Sequence, residues 1–99
     1  MGDDPNQKTA PLALFPLGQI VATPNALAQV SHEDILGALG RHICGDWGTV
    51  DKHDWGANNR ALVEETRLLS AYESGNKVRF WIITEADRRV TTILLPEDY

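Results

Sequence analysis

The side chains with the most chemistry to offer lie close together in the middle of the chain. His42, Cys44, Asp46 and His53 supply imidazole, thiol and carboxylate. These are the ligand types of zinc sites and the parts of a nucleophile–base pair. Their spacing fits neither use well. It matches no zinc-finger pattern, and Cys44 is the single cysteine. A nucleophilic Cys44 needs an adjacent base and a lowered pKa, and His42, two residues away on the same helix, faces elsewhere. No Gly-x-Ser-x-Gly, His-Glu-x-x-His or Cys-x-x-Cys occurs. The residues therefore assign no catalytic group, no metal and no cofactor. A small metal-binding or hydrolytic protein using His42, Cys44, Asp46 and His53 stands as the alternative, selected by stoichiometric zinc in untagged protein. A second charged group, Glu85, Asp87, Arg88 and Arg89, falls at a hairpin turn, where charges are ordinarily only solvated.

The segment that carries the first group, "GDWGTVDKHDWGANN" (45–59), reads better as a joint between helices. Gly45 stops one helix, Asp51 caps the next with Asp54 three residues on, and Trp47 and Trp55 turn inward. Each tryptophan buries about 150–250 Å², a large share of a core this small. His42 and Cys44 then finish a helix, with the imidazole near its C-terminus, where positive charge is favoured.

Before that joint, "LGQIVAT" is a short strand ended by Pro24, and Thr23-Pro24 suits a helix start. "SHEDILGALGRHI" is a clearer helix, capped by Ser31, with Ile35, Leu36, Leu39 and Ile43 on one face. Gly37 and Gly40 weaken it, which close packing of a neighbour would explain. After the joint, "RLLSAYES", "KVRFWIIT" and "VTTILL" are rich in β-branched and aromatic residues. Gly75-Asn76 fits a two-residue hairpin turn, and Glu85–Arg89 a second turn, giving a three-stranded meander.

Those turns set a register. It puts Leu69, Ala71, Phe80, Ile82, Ile93 and Leu95 on one uncharged core face, where the helices should pack. The other face carries Leu68, Ser70, Tyr72, Arg79, Trp81, Ile83, Thr92 and Leu94. It is too apolar around Trp81 for a solvated face. The N-terminal segment is expected to cover it; otherwise Trp81, Tyr72, Leu94 and Arg79 form an interaction site. The expected fold class is α+β: a single small domain over residues 17–99 behind a tail of residues 1–16. Its sheet is three- to four-stranded and antiparallel, with two to three N-terminal helices packed on one face.

Composition narrows the function further. The chain has 99 residues, 42% of them apolar, and a net charge of −5. An acidic domain lacks the basic patch that collects phosphates, so direct nucleic-acid binding is not expected. A protein partner is, with a homodimer as one form of it. No run is long enough to span a bilayer, and the Pro-broken N-terminus is no secretory signal, so the expected location is cytoplasmic.

Five stretches taken together, "LGQIVATPNA", "GDWG", "RLLSAY", "WIITEADR" and "TTILLPEDY", carry a resemblance. The chain from Leu17 to Tyr99 resembles short proteins encoded on plasmids and other mobile elements, labelled "plasmid-related protein" or "type I restriction endonuclease subunit M". Arg89 departs from the small residue expected there. A methyltransferase domain needs a doubly wound sheet of about 150 residues or more with a glycine-rich cofactor turn. This chain has neither. The resemblance therefore implies no catalytic residue. It implies a non-enzymatic interaction module of a mobile genetic element, acting on a host defence complex.

Overall fold

The computed structural model describes residues 13–99. Along the chain lie β1 (Gln19–Ala22), α1 (Pro24–Gln29), α2 (His32–Ile43), α3 (Lys52–Glu64), β2 (Leu68–Glu73), β3 (Arg79–Thr84) and β4 (Val90–Leu94), closed by a 3-10 turn, Pro96–Asp98. Each helix starts where its cap dictates. Thr23, Ser31 and Asp51 accept from the amides of Ala26, Asp34 and Asp54 respectively, each cap worth about 1 kcal/mol. α2 stops at Gly45, whose φ of +84° is left-handed. α3 is closed by Glu65 in the left-handed conformation (φ +57°), and from the β3–β4 turn the Arg88 guanidinium donates to Ala61 O in its last turn (3.0 Å) and to Thr66 O just beyond it (2.6 Å). The charged turn tip thus includes a structural clamp.

This is a small α+β domain with its three helices ahead of the meander. The four strands are ordered β1-β4-β3-β2. The meander is antiparallel as expected, but β1 runs parallel to β4, so the sheet is mixed and not purely antiparallel. Three helices and two strands separate β1 from β4, and a long connection is what a parallel pair requires. Gly18 seats the strand: its φ is +66°, and a Cβ there would lie 2.2 Å from Arg89 O.

One register expectation holds and one fails. Ile82 pairs with Ile93 and Trp81 with Leu94 as expected. Between β2 and β3 the pairing is shifted by one, with Tyr72 opposite Phe80 and Ser70 opposite Ile82. The cause is the turn. Ser74 bonds across to Val78, and Lys77 takes the left-handed conformation (φ +66°), making a three-residue loop in place of the expected Gly75-Asn76 pair. One extra residue turns every β2 side chain over. The core face is therefore Leu68, Ser70 and Tyr72 beside Phe80, Ile82, Ile93 and Leu95, not Leu69 and Ala71.

Two apolar clusters result. Ala26, Val30, Ile35, Ala38 and Leu39 of α1 and α2 pack on Tyr72, Phe80, Ile82, Ile93 and Leu95. Phe15, Trp47, Ala61 and Leu68 form the second, with Trp55 and Leu62 partly buried against it. Of the tail expected over residues 1–16, residues 1–12 lie outside the described residues; Phe15 belongs to the core.

The outer edge of β2 is closed by two devices. Trp47–Thr49 runs alongside it, with Thr49 N donating to Ala71 O and Ala71 N to Trp47 O. Gly48 makes this approach possible, because a Cβ there would lie 1.9 Å from Ala71 O. One step further, the Asn58 side chain stands in for a peptide group, donating to Leu69 O (2.7 Å) and accepting from Leu69 N (3.1 Å). Replacing Asn58 by Ala strands both backbone groups and is expected to cost about 1–3 kcal/mol. Urea titration checks this, and Asn58→Asp, which sets a buried carboxylate oxygen against Leu69 O, should be at least as damaging as Asn58→Ala at neutral pH.

Candidate functional site

The sequence-based ligand set does not come together. His42 is fully buried under the sheet, Asp46 is paired with Arg41 (2.8 Å), and His53 lies exposed at the start of α3. Among the described residues, the only three potential ligands that converge are Asp51, His53 and Asp54, all exposed. Two of them are carboxylates in a first helical turn, where the backbone amides and the helix dipole already favour negative charge. Asp46 is a structural turn residue: its carboxylate accepts from Arg41 and from Gly48 N, and its carbonyl accepts from the Tyr72 hydroxyl (2.7 Å). Arg41 holds the Asp46 carboxyl below the usual carboxylate range.

His42 has partners that the sequence reading missed. Its Nδ1 is 2.5 Å from Ser70 Oγ and its Nε2 is 2.9 Å from Thr84 Oγ1. Thr84 Oγ1 is 2.7 Å from Thr91 Oγ1, which donates to Leu17 O at 2.7 Å. The direction of every proton follows from the far end. A carbonyl only accepts, so Thr91 donates to Leu17 and accepts from Thr84. Thr84 then accepts from His42 Nε2–H, and the bare Nδ1 accepts from Ser70. Phe15 and Trp47 present ring edges or faces to the imidazole at 5.2 and 5.6 Å. Burial, and secondarily the Arg88 charge, lower its pKa to about 4. His42 is thus a neutral core residue, not the cation expected at a helix C-terminus. A serine hydroxyl on an imidazole is the start of a nucleophile–base pair, but Ser70 and His42 are both fully buried. No substrate reaches them, and the chain of hydroxyls ends on a backbone carbonyl. Its signal in the sequence was the run of small hydroxyl residues at inward strand positions, visible only with the correct β2 register.

Of the expected interaction residues, Trp81, Leu94 and Arg79 share the outer face and Tyr72 leaves it. Tyr72 lies on the core face, 2% exposed, with its ring against Phe80. Trp81 and Leu94 do share the outer face, Trp81 half-buried and Leu94 buried, while Arg79 is exposed at the start of β3. Among the described residues the cover over Trp81 comes from Tyr99, and residues 1–12 of the N-terminal segment expected there lie outside them. Tyr99 meets the Trp81 ring edge-on at 5.7 Å, and Arg67 donates to the Tyr99 hydroxyl (2.6 Å) while lying over its ring and beside Glu85. The turn below is held by Asp98, which accepts from Thr23, Asn25 and Leu95 N and is kept below the usual carboxylate range by them.

The open apolar surface lies elsewhere, at the other end of the sheet. A groove of about 470 Å³ runs between β1, α1 and α2, lined by Ile20, Val21, Ala22 and Leu27 on one side and Ile35, Leu36 and Leu39 on the other, with His32 at its rim. Ile20 is 49% exposed, Val21 38%, Leu27 52% and Leu36 68%. Leu36 was expected in the buried stripe beside Ile35; Ile35 is buried, but Leu36 falls outside the stripe, whose buried members on α2 are Ile35, Ala38, Leu39 and His42. Gln19 N and Thr23 N donate to β4, so by strand alternation Ile20 and Ala22 direct their N–H and C=O groups to the outer side. Among the described residues no strand lies there. Beside Leu36, Gly37 and Gly40 have nothing within 4 Å of where a Cβ would stand. Each costs about 1 kcal/mol relative to Ala in a helix, and no close contact among the described residues offsets it.

By fold and surface the chain is a small mixed-sheet α+β domain with one sheet edge closed and, among the described residues, the other open. No family model matches it, and no curated protein or solved structure matches it. No helix among the described residues is long and apolar enough to cross a membrane.

Proposed function

We propose that the chain is a non-enzymatic interaction module that binds protein through the β1–α2 face. The observation that carries this reading is the unpaired edge of β1 lying beside the apolar groove. Exposed strand edges are normally blunted by charge, proline within the strand or a covering loop. β2 is covered, whereas among the described residues no charge, proline or covering loop blunts Gln19–Ala22, a four-residue strand with apolar side chains beside it. An unpaired edge with adjacent side-chain pockets is the arrangement to which an added strand binds. The resemblance of Leu17–Tyr99 to plasmid-encoded proteins supports a setting on a mobile genetic element, with host defence complexes as the class of target.

The test is comparative affinity capture. Tagged wild-type chain, Leu36→Glu and Trp81→Ala are each co-expressed with an untagged copy, and the proteins recovered are identified by mass spectrometry. The expected result is a protein, the untagged copy included, that is recovered with wild type and Trp81→Ala and lost with Leu36→Glu. Identical recoveries with wild type and Leu36→Glu would remove the face from consideration.

A further inference from the structure

We infer that residues Leu14–Leu17 form an acid-opened strap: a proton taken up by His42 lifts Phe15 off the imidazole, with Gly18 as the pivot. The strap is independent of the interaction face and lies on the other side of β1's entry into the sheet. The Phe15 ring covers His42 edge-on at 5.2 Å and stacks on Trp47 at 6.3 Å. Two residues on, Leu17 O is the carbonyl on which the hydroxyl chain from His42 ends. One short segment is thus both the lid over the ring and the far anchor of its hydrogen bonds.

It is also the wall that gives most easily. Ser70, Thr84 and Thr91 lie on the meander strands, held by their ladders. Trp47 is tied by its indole N–H to Asn59 Oδ1 (3.0 Å) and by the pairing of Trp47–Thr49 with Ala71. Among the described residues, Leu14–Leu17 is held by two hydrogen bonds, Leu14 N to Ile43 O (2.9 Å) and Thr91 Oγ1 to Leu17 O (2.7 Å), and by the burial of Phe15. Behind it, Gly18 is left-handed (φ +66°) and Gln19 N donates to Arg89 O (2.8 Å). The chain is pinned there, so what precedes Gly18 can swing while β1 stays.

The closed site offers a charged imidazole no counter-ion. Phe15, Trp47, Ser70 and Thr84 bring no charge to it. The Tyr72 hydroxyl of β2 donates to Asp46 O and is kept neutral by burial. The Asp46 carboxylate is taken by Arg41 and Gly48 N. From the β3–β4 turn comes Arg88, which lies over the Phe15 ring at 5.6 Å and has the same sign as an imidazolium. A buried, unpaired charge is costly, and water is what remains to solvate it. Lifting Phe15 is the shortest way to let water in.

Amide exchange of the full chain tests this, followed by NMR at pH 7 and pH 5 and corrected at each pH for the intrinsic rate of a free amide. Leu14 N reports the strap through its bond to Ile43 O. The closed imidazole has a pKa of about 4 and the opened one regains 6.5, so corrected exchange at Leu14 should rise about twentyfold from pH 7 to pH 5. Lifting four residues exposes little surface, so the rise should be indifferent to low concentrations of urea. It should vanish in His42→Gln. In Phe15→Ala, where the lid is gone, the imidazole titration followed by NMR should move upward from that of wild type, which gives a readout even if His42→Gln does not fold. Equal corrected exchange at the two pH values overturns the inference. So does a rise that grows with urea in step with Ile82, the mark of global unfolding, or one that persists in His42→Gln. An imidazole titration unchanged in Phe15→Ala overturns it as well.

Discussion

Phe80→Ala is expected to remove about 3–5 kcal/mol of folding free energy, the range for truncating a buried aromatic. Phe80 is 1% exposed at the centre of the larger cluster, its ring 5.8 Å from that of Tyr72. It lies where α2 packs on the sheet, on the central strand β3, with β2 and β4 to either side. The cavity has little means of collapse, because its walls are paired strands and a capped helix. At about 4–8 °C per kcal/mol for a domain of this length, the melting temperature should fall by roughly 12–40 °C. Leu36→Ala, at an exposed position, should leave the monomer's melting temperature nearly unchanged, so the pair of melts measures burial and not merely side-chain loss. An unchanged melt for Phe80→Ala would remove it from the core.

Acid should weaken the fold through His42. The ordinary imidazole pKa of 6.5 applies to the unfolded chain, and burial lowers the folded value to about 4. The unfolded state therefore takes up the proton first as pH falls. Stability is complete above about pH 6.5, declines between there and about pH 4, and levels off below. The total is about 3 kcal/mol, from 1.36 kcal/mol per pKa unit. The hydrogen-bond chain gives a reason beyond burial: a proton on Nδ1 takes away the acceptor of the Ser70 hydroxyl proton, which must turn elsewhere in a buried site. Asp46 and Asp98, both held below the ordinary carboxylate value of 3.8, lose their contributions only under more acidic conditions. Urea titrations at pH 7, 5 and 4 should show the slope in wild type and its absence in His42→Gln. A wild type equally stable at pH 7 and pH 4 would mean that the imidazole is charged or solvent-reached. In nitrogen NMR the proton should sit on Nε2 throughout the neutral range.

The caps, the helix count and the meander were legible because each rests on local chemistry. Thr23, Ser31 and Asp51 carry their signals within three residues. Trp47 was recognisable as core because a large apolar ring between two glycines must go somewhere. The β2 register was not legible. Gly75-Asn76 and Gly75-Asn76-Lys77 are both acceptable loops, and the choice lies in Lys77 adopting a left-handed conformation that its residue type does not announce. That one residue moved Tyr72 from the expected interaction face into the core. It also hid the alignment of Ser70 and Thr84 beneath His42. The parallel pairing of β1 was equally hidden, since Gln19–Ala22 has the same composition whichever way it runs. Leu36 shows the limit of periodicity: Ile35 and Leu36 are equally apolar, and only the finished packing decides which is buried. Gly37 and Gly40 were noticed as needing a close neighbour, but nothing in their spacing says that none of the described residues provides one.

The pairing of β1 with β4 also sets an order of events. β2, β3 and β4 are joined by short turns, so their contacts form with little loop entropy to overcome. Gln19 meets Val90 only after about 70 intervening residues have been gathered in. β1 is therefore the last strand to dock and the first to leave, held by a few ladder bonds, the Gly18 approach to Arg89 and the Asp98 clamp on Thr23 and Asn25. The amides of Val21 and Thr23 should exchange with solvent deuterium earlier than those of Ile82 or Ile93. When β1 swings out, the edge of β4 is left bare. The last pair to form is thus also the one whose loss first uncovers an inner strand of the sheet.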